Sequence, residues 1–464
     1  VWHDSLMTTS DTPLMTDKTP TNESTTTAHA VTDELAERLQ RSSVELSTTD
    51  PSDGHADLAP VGDVVINARI IGLGEATHGT REFFQLKHRI VRYLVEEQGL
   101  RLFMMEVNLP ETMALNNYVV HGKGDALEAL AGTHLWVWRT EAVLALVEWL
   151  REFNAGRPLD DRVRFYGIDA QYTTGAVEYL DEFLARADPD LREELQADLA
   201  ATDDEGNNND QYMSDHDPEA TDRLLNRLGT AFEERREAFV IMTSERETAL
   251  ARRCLRIVEQ ARQRRVARET DGIQASMVVR DEAVAENLSW ALDYEAADRA
   301  VLWAHDSHIC RTVHFGARTD PAPSLGSYIA DRYGDDYFAL GFDFLGGSFR
   351  AIGIGLPPES ERSAWSLNEP PADSITRMFA DTRSDLMFLD FDTAKKDDRL
   401  DEWLAEPRAK RKLGAVYYDP DGPSEDEKDG QAAHNAVRIL PEAFDGLLFV
   451  RETMPSRVLD SPEH

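Results

Sequence analysis

The feature that most constrains this chain is a strand–helix–strand unit near its start. A short β-rich run, Ala68 to Leu73, leads into Gly74-Glu75-Ala76-Thr77-His78-Gly79, and a helix is predicted from about Arg81 to Gln98. Its apolar residues Phe83, Leu86, Ile90 and Leu94 recur at helical spacing; Thr80 stands where an N-cap belongs and Gly99 where a helix stops. A second apolar strand, Leu102 to Val107, follows. A helix between two strands is a crossover, and crossovers join parallel strands. The pattern recurs with a helix over 141–154, carrying Val143, Val147, Leu150 and Phe153 on one face, and a strand from Val163 to Ile168 that ends at Asp169. Further strands are predicted at 300–304, 337–342, 349–354, 385–390, 414–418 and 446–451. The expected fold is α/β: a mostly parallel central sheet flanked by helices in a three-layer α/β/α arrangement.

The strand signal vanishes between about 174 and 297, where Glu, Arg, Ala and Leu recur at helical spacing. This reads as a large helical insertion, broken by an acidic, Asn-rich loop near 202–217, that covers the open face of the sheet. It divides the core into a first part, 31–173, and a remainder, 298–464. Residues 1–30, rich in Thr, Ser, Asp and Pro without periodicity, read as a disordered leader.

Charge narrows the classes of partner. Asp and Glu number 86 against 49 Lys and Arg, a formal net charge of -37, and only 8 of the basic residues are Lys. The acid is dispersed along the chain rather than gathered in a tail. That points to a hydrated, self-repelling surface suited to high salt, where screening is strong. Such a field repels nucleic acid and anionic lipid, so neither nucleic acid nor membrane is an expected partner. Cys254 and Cys310 are too few for a disulfide framework. No apolar run approaches the roughly 18 residues that span a bilayer, and no basic region precedes an apolar stretch at the N-terminus. The expected location is the cytoplasm; the oligomeric state is left open.

Several chemistries leave no trace. The chain has no Gly-x-Ser-x-Gly, no Walker-type phosphate loop, no His-Glu-x-x-His and no Cys-x-x-Cys. Gly72-Leu73-Gly74 follows a strand, but Glu75 stands where a pyrophosphate would approach, which argues against a dinucleotide. What remains is a set of His and acidic residues at strand ends: Glu75 and His78, Glu106, Asp169, and His305 with His308. Ligands bind beyond the carboxyl ends of strands in parallel sheets. Singly, each has a plain structural reading, as a loop histidine or a helix-capping glutamate. Glu106 is harder to dismiss, because it interrupts the apolar run 102–105 and a buried carboxylate needs a partner. His78, His305 or Arg81 would serve.

These residues resemble the erythromycin esterase family. The resemblance is carried by Gly74-Glu75-Ala76-Thr77-His78-Gly79 with Arg81-Glu82-Phe83-Phe84, by Glu106, by Asn116-Asn117-Tyr118 with His121-Gly122, and by Gly167-Ile168-Asp169. Ala304-His305-x-x-His308-Ile309, Gly334-Asp335-Asp336-Tyr337 and Gly341 continue it, with a weaker echo at Phe444-Asp445-Gly446. Some relatives are named succinoglycan biosynthesis proteins. The resemblance implies hydrolysis of a carboxylic ester, a macrolide lactone among the candidates, by activated water without a covalent serine. It makes His78 the general base, Glu75 and Glu106 the residues that orient and polarise it, and His305 a stabiliser of the transition state. Lys87 stands where the family tends to have an arginine. Arg81, Lys87, His308, Asp169, Asn117 and His121 are the candidates for substrate contact. Backbone N–H groups near Gly79 are candidates to hold an oxyanion. No cofactor is expected. Two other readings compete: a hydrolase holding a divalent metal on the His/Glu cluster, and a non-catalytic protein that binds a glycan or glycoside.

Overall fold

The computed structural model describes residues 34–203, 217–312, 322–354, 363–418 and 434–459. The leader, 1–30, and most of the acidic loop near 202–217 lie outside them. The strand–helix–strand unit forms as expected. β2 (Ile70–Leu73) is followed by helix α1 (Arg81–Gln98) and β3 (Leu102–Asn108). Gly99 caps α1 in the left-handed conformation at φ 68°. Thr80 occupies the N-cap, but its hydroxyl meets Thr77 Oγ1 at 2.8 Å rather than the helix.

The remaining strands are β1 (Ser43–Glu45), β4 (Arg164–Asp169), β5 (Ala300–Trp303), β6 (Tyr337–Gly347), β7 (Phe349–Ile354), β8 (Ser363–Trp365), β9 (Leu386–Asp390), β10 (Arg408–Arg411), β11 (Val416–Tyr418), β12 (Asn435–Arg438) and β13 (Gly446–Thr453). Eight of them form the main sheet in the order β1-β9-β13-β6-β2-β5-β3-β4. From β13 to β4 every pairing is parallel; β9 runs antiparallel to β13 and β1 antiparallel to β9. Strands β2, β3 and β5 are buried along their whole length, as parallel strands covered on both faces must be.

Alternate residues face opposite layers. Ile71, Leu73, Phe103, Met105 and Val301 pack with α1 and with α3 (Glu141–Asn154), which flanks α2 (Met113–His121). Ile70, Leu102, Met104, Ile168 and Leu302 pack on the other face with the 174–295 helices. Those are α4 (Thr174–Ala187), α5 (Pro189–Thr202), α6 (Pro218–Glu234), α7 (Arg236–Met242) and α8 (Glu245–Glu295). These helices cover that face of the sheet.

The last of these is not a straight rod. Gly272 adopts φ 88° and ψ -175°, a region closed to residues with a Cβ, and the chain reverses there. Ion pairs Arg246–Glu295 and Arg253–Glu286 tie the two arms side by side in antiparallel order. Arg264 of the first arm donates to the Gln171 carbonyl just beyond β4, so the tip projects past the carboxyl edge of the sheet. Outside the main sheet, β11-β7-β8 and β10-β12 form two small sheets. They sit against the Gly74–Thr80 turn through Leu413 N–H to Ala76 O (2.8 Å), His78 N–H to Gly414 O (3.2 Å) and Arg350 N–H to Gly79 O (3.0 Å).

Candidate active site

Three neighbouring parallel strands, β2, β5 and β3, end at one edge and deliver Glu75 and His78, His305 and His308, and Glu106 respectively. β4 adds Asp169 beside them. Glu75 is fully buried. One of its oxygens lies 2.5 Å from His78 Nδ1. The other accepts from Lys87 Nζ at 2.6 Å and from Trp303 Nε1 at 3.0 Å. Three partners thus engage both oxygens and hold the carboxylate in place. Lys87 lies one face of α1 inward, 4.4 Å from the Trp303 ring centre. Burial pulls its pKa down to about 8 against the opposing pull of Glu75. With Nδ1 engaged, the His78 ring keeps Nε2 for the cleft. Its faces are bounded by Trp138, at 5.5 Å edge-on, and by His305, at 5.0 Å.

Glu106 is the second buried carboxylate. Its Oε1 accepts from Arg280 at 2.7 Å and its Oε2 from the His305 backbone N–H at 2.9 Å. Burial alone would raise its pKa, but His308, Arg280 and His78 bring it down to about 2, so it is ionised. Arg280 also grips Asp169, through its Nε at 3.1 Å and through a second guanidinium nitrogen at 2.5 Å. His308 stands between carboxylates, with Nδ1 2.8 Å from Asp281 and Nε2 3.3 Å from Glu106. Burial lowers its pKa, and those two charges outweigh burial and raise it.

His305 is the opposite case. Burial, together with the charges of His78, His308 and Lys412, holds its pKa well below the ordinary value. Its Nδ1 accepts from the Ser307 N–H at 3.1 Å and lies 2.6 Å from the Ser307 hydroxyl. That assigns the proton to Nε2, which lies 3.3 Å from the Ala76 carbonyl. His305 is therefore a neutral donor facing His78.

The structure brings Glu75, His78, Lys87, Glu106, Asp169, His305 and His308 together. It does not bring Arg81, Asn117 or His121. Arg81 pairs with its neighbour Glu82 at 2.8 Å, so the partner of Glu106 is Arg280 and not Arg81. Asn117 and His121 are exposed on α2. His121 feels the charges of Lys123, Arg162 and Arg164, at the amino end of β4, the far edge of the sheet. The turn amides are also committed: Gly79 N–H donates to Thr77 Oγ1 at 3.0 Å and His78 N–H to Gly414 O. The expected backbone oxyanion site there is occupied by the fold itself.

Arg280 and Asp281 went unnoticed in the sequence. The signal exists: Ser276, Arg280, Val284, Asn287, Leu288 and Ala291 form the buried stripe of the second arm of α8, and a charge in an apolar stripe needs a partner. Among the described residues, no group of three or more His, Cys, Asp or Glu side chains is arranged to hold a metal ion. No helix among them is long and apolar enough to cross a membrane.

A parallel α/β sheet whose edge carries a histidine held by a buried carboxylate, with a second histidine opposite, is an arrangement suited to a hydrolase. Residues 95–453 match the model of the erythromycin esterase family, and the chain belongs to that family of ester hydrolases. It is 25% identical over 323 residues, 65% of its own length and 75% of the other's, to erythromycin esterase type II of Escherichia coli. A crystal structure of a Bacillus cereus protein superposes with a TM-score of 0.78 at 25% identity, covering 92% of this chain and 99% of that one. A succinoglycan biosynthesis protein shares the fold with a TM-score of 0.73 at 20% identity, covering 93% and 99%. The matched range contains Glu106, Asp169, Arg280, His305 and His308; Glu75 and His78 precede it.

Proposed function

We propose that the chain hydrolyses a carboxylic ester by adding water directly, with His78 as the general base. The observation that carries this reading is the 2.5 Å contact between His78 Nδ1 and a Glu75 whose other oxygen is pinned by Lys87 and Trp303. A carboxylate on Nδ1 keeps the proton there, leaves Nε2 basic, and stabilises the imidazolium that forms when Nε2 takes a proton from water. The resulting hydroxide equivalent adds to the ester carbon, and the carbonyl oxygen becomes an oxyanion. His305 Nε2–H, a neutral donor on a ring 5.0 Å away between centres, would receive that charge by turning from the Ala76 carbonyl, its partner at 3.3 Å. The tetrahedral adduct then collapses, and the His78 imidazolium returns its proton to the departing alkoxide. Glu106 acts one step removed. It holds the His305 backbone N–H and, through Arg280, the adjoining charges, and so positions His305.

A macrolide lactone is one ester of this class, and incubation with erythromycin tests it alongside simple aryl esters. The decisive variant is His78→Ala. With 4-nitrophenyl acetate as substrate, kcat should fall by about 10²-fold or more, the usual contribution of a placed base, while the melting midpoint stays near wild type. Near-wild-type kcat in the variant removes His78 as the base.

A further inference from the structure

Beside the proposed base runs a stretch of backbone without a side chain. Past β10 the chain crosses the Gly74–Thr80 turn, held there by Leu413 N–H to Ala76 O at 2.8 Å and by His78 N–H to Gly414 O at 3.2 Å. Just beyond the crossing, Ile352 N–H donates to the Ala415 carbonyl at 2.9 Å, and β11 pairs with β7 from Val416 onward. Bonds on both sides of Gly414 thus fix its place relative to His78. Leu413 and Ala415 pack against the apolar layer that α1 shares. Gly414, between them, is turned to the two histidines. A Cβ built on it would lie 4.0 Å from His305 Nε2 and 4.0 Å from His78 Cδ2, and apart from its chain neighbours no other described atom would be within 4 Å.

His78 Cδ2 is bonded to Nε2, the atom that takes the proton from water in the mechanism above, and His305 Nε2–H is the donor to the oxyanion. The missing Cβ therefore marks a point between the two reacting edges, on rings whose centres are 5.0 Å apart. Carbon atoms are in contact at about 3.5–4.0 Å, so an alanine methyl would close this gap against both rings. Glycine leaves it wider by one methyl group, where the acyl part of an ester has to reach both histidines. The backbone gives a rival reason for glycine, since φ is 84°, in the left-handed region. That conformation makes a side chain costly; it does not decide where the side chain would point, and the direction here is into the reacting gap.

We propose that Gly414 selects the acyl group: the room it leaves admits esters branched at the carbon next to the carbonyl. This rests on the ester-hydrolysis reading and names its substrate class. A branched carbon in that position carries one methyl group more than a straight chain, which is the volume that glycine frees relative to alanine.

The test uses 4-nitrophenyl propionate and 4-nitrophenyl isobutyrate, which differ by that one methyl group and share a leaving group. The wild-type chain should turn them over with kcat/KM values less than about 10-fold apart. In Gly414→Ala the isobutyrate-to-propionate ratio should fall by about 10-fold or more, the usual effect of one misfitted methyl group in a shaped pocket. Gly414→Asn, a residue that tolerates the left-handed region, repeats the comparison if the alanine variant does not fold. Gly99→Ala puts similar backbone strain at the end of α1, where nothing lies within 4 Å of the new methyl, and should leave the ratio where it is. A purely conformational role for Gly414 lowers both esters alike, so an unchanged ratio in its variants overturns the proposal. A wild-type preference for propionate beyond about 10-fold overturns it as well, with no variant needed. If the wild-type chain cleaves neither ester, the hydrolysis reading fails by itself. Calorimetric titration with propionate and isobutyrate, the acids that hydrolysis would release, then judges Gly414 alone. Isobutyrate binding that weakens in Gly414→Ala while propionate binding holds supports the proposal; binding that is absent, unchanged or weakened equally sinks it.

Discussion

Lys87 holds an ammonium where water does not reach, and its neighbours decide what that does. Both Lys87 and Glu75 are fully buried, so the pair depends on each partner keeping its charge. Because burial lowers the lysine to about pKa 8, its proton leaves at mildly alkaline pH and Glu75 loses a donor that fixes it. The activity should therefore decline as pH rises through about 8. Lys87→Arg replaces the ammonium by a cation that does not titrate there, and it should carry the alkaline limb of the kcat/KM profile upward by more than about one pH unit. An unmoved limb in the arginine variant means that Lys87 does not set it. The stability effect has the opposite sense. The folded chain binds this proton less tightly than the unfolded chain, whose lysine titrates near 10.5, so from about pH 8 to 10.5 this group makes stability rise with pH.

At the scale of elements, the hairpin formed by α8 is both a cover and a source of charge. Arg280 is the point at which it is fastened to the strand ends. Arg280→Met keeps much of the side-chain volume and leaves Glu106 and Asp169 buried without their cation. The unfolding free energy should drop by about 3–5 kcal/mol, the usual result of removing one partner from a buried ion pair; denaturant titration reads it, and a loss under about 1 kcal/mol would show that the network is not what holds the hairpin down. Gly272→Ala tests the reversal separately. Nothing lies within 4 Å of where the new methyl would go, so any loss, expected at about 1–3 kcal/mol by chemical unfolding, comes from the backbone conformation at φ 88°. A neutral result would mean that the turn is not strained by a side chain.

The same elements show what was legible beforehand. The strands that bury both faces, β2 to β6, were visible as apolar runs, and the helix predicted over 141–154 is α3 to the residue. The short strands β1, β8, β10 and β12 were not, because three or four mixed residues such as Arg408-Ala409-Lys410-Arg411 carry no period and pair only when tertiary structure brings them together. Glu75, His78, Glu106 and His305 were legible because titratable groups follow apolar strands. Arg280 was harder to assign: its place in an apolar stripe marks it as needing a partner, but the carboxylates that it meets lie 174 and 111 residues away in the sequence.

For the molecule as a whole, the excess of 86 acidic over 49 basic residues makes self-repulsion a global term. The arginines offset it only locally, in surface pairs such as Arg192–Asp181 and Arg399–Glu402 that contribute little each. Screening should therefore stabilise the fold: the melting midpoint should climb strongly between low salt and molar KCl, and a flat or falling midpoint removes the salt-adapted reading of the surface. The order of strands bears on how such a molecule is made. β2 has both its neighbours, β5 and β6, from residue 300 onward, although β2 itself ends at residue 73. On the ribosome, Glu106 emerges 174 residues before Arg280, the arginine that neutralises it. Until then that carboxylate stays hydrated, and this edge of the sheet is completed only once the hairpin and the second half of the sheet have both been synthesised.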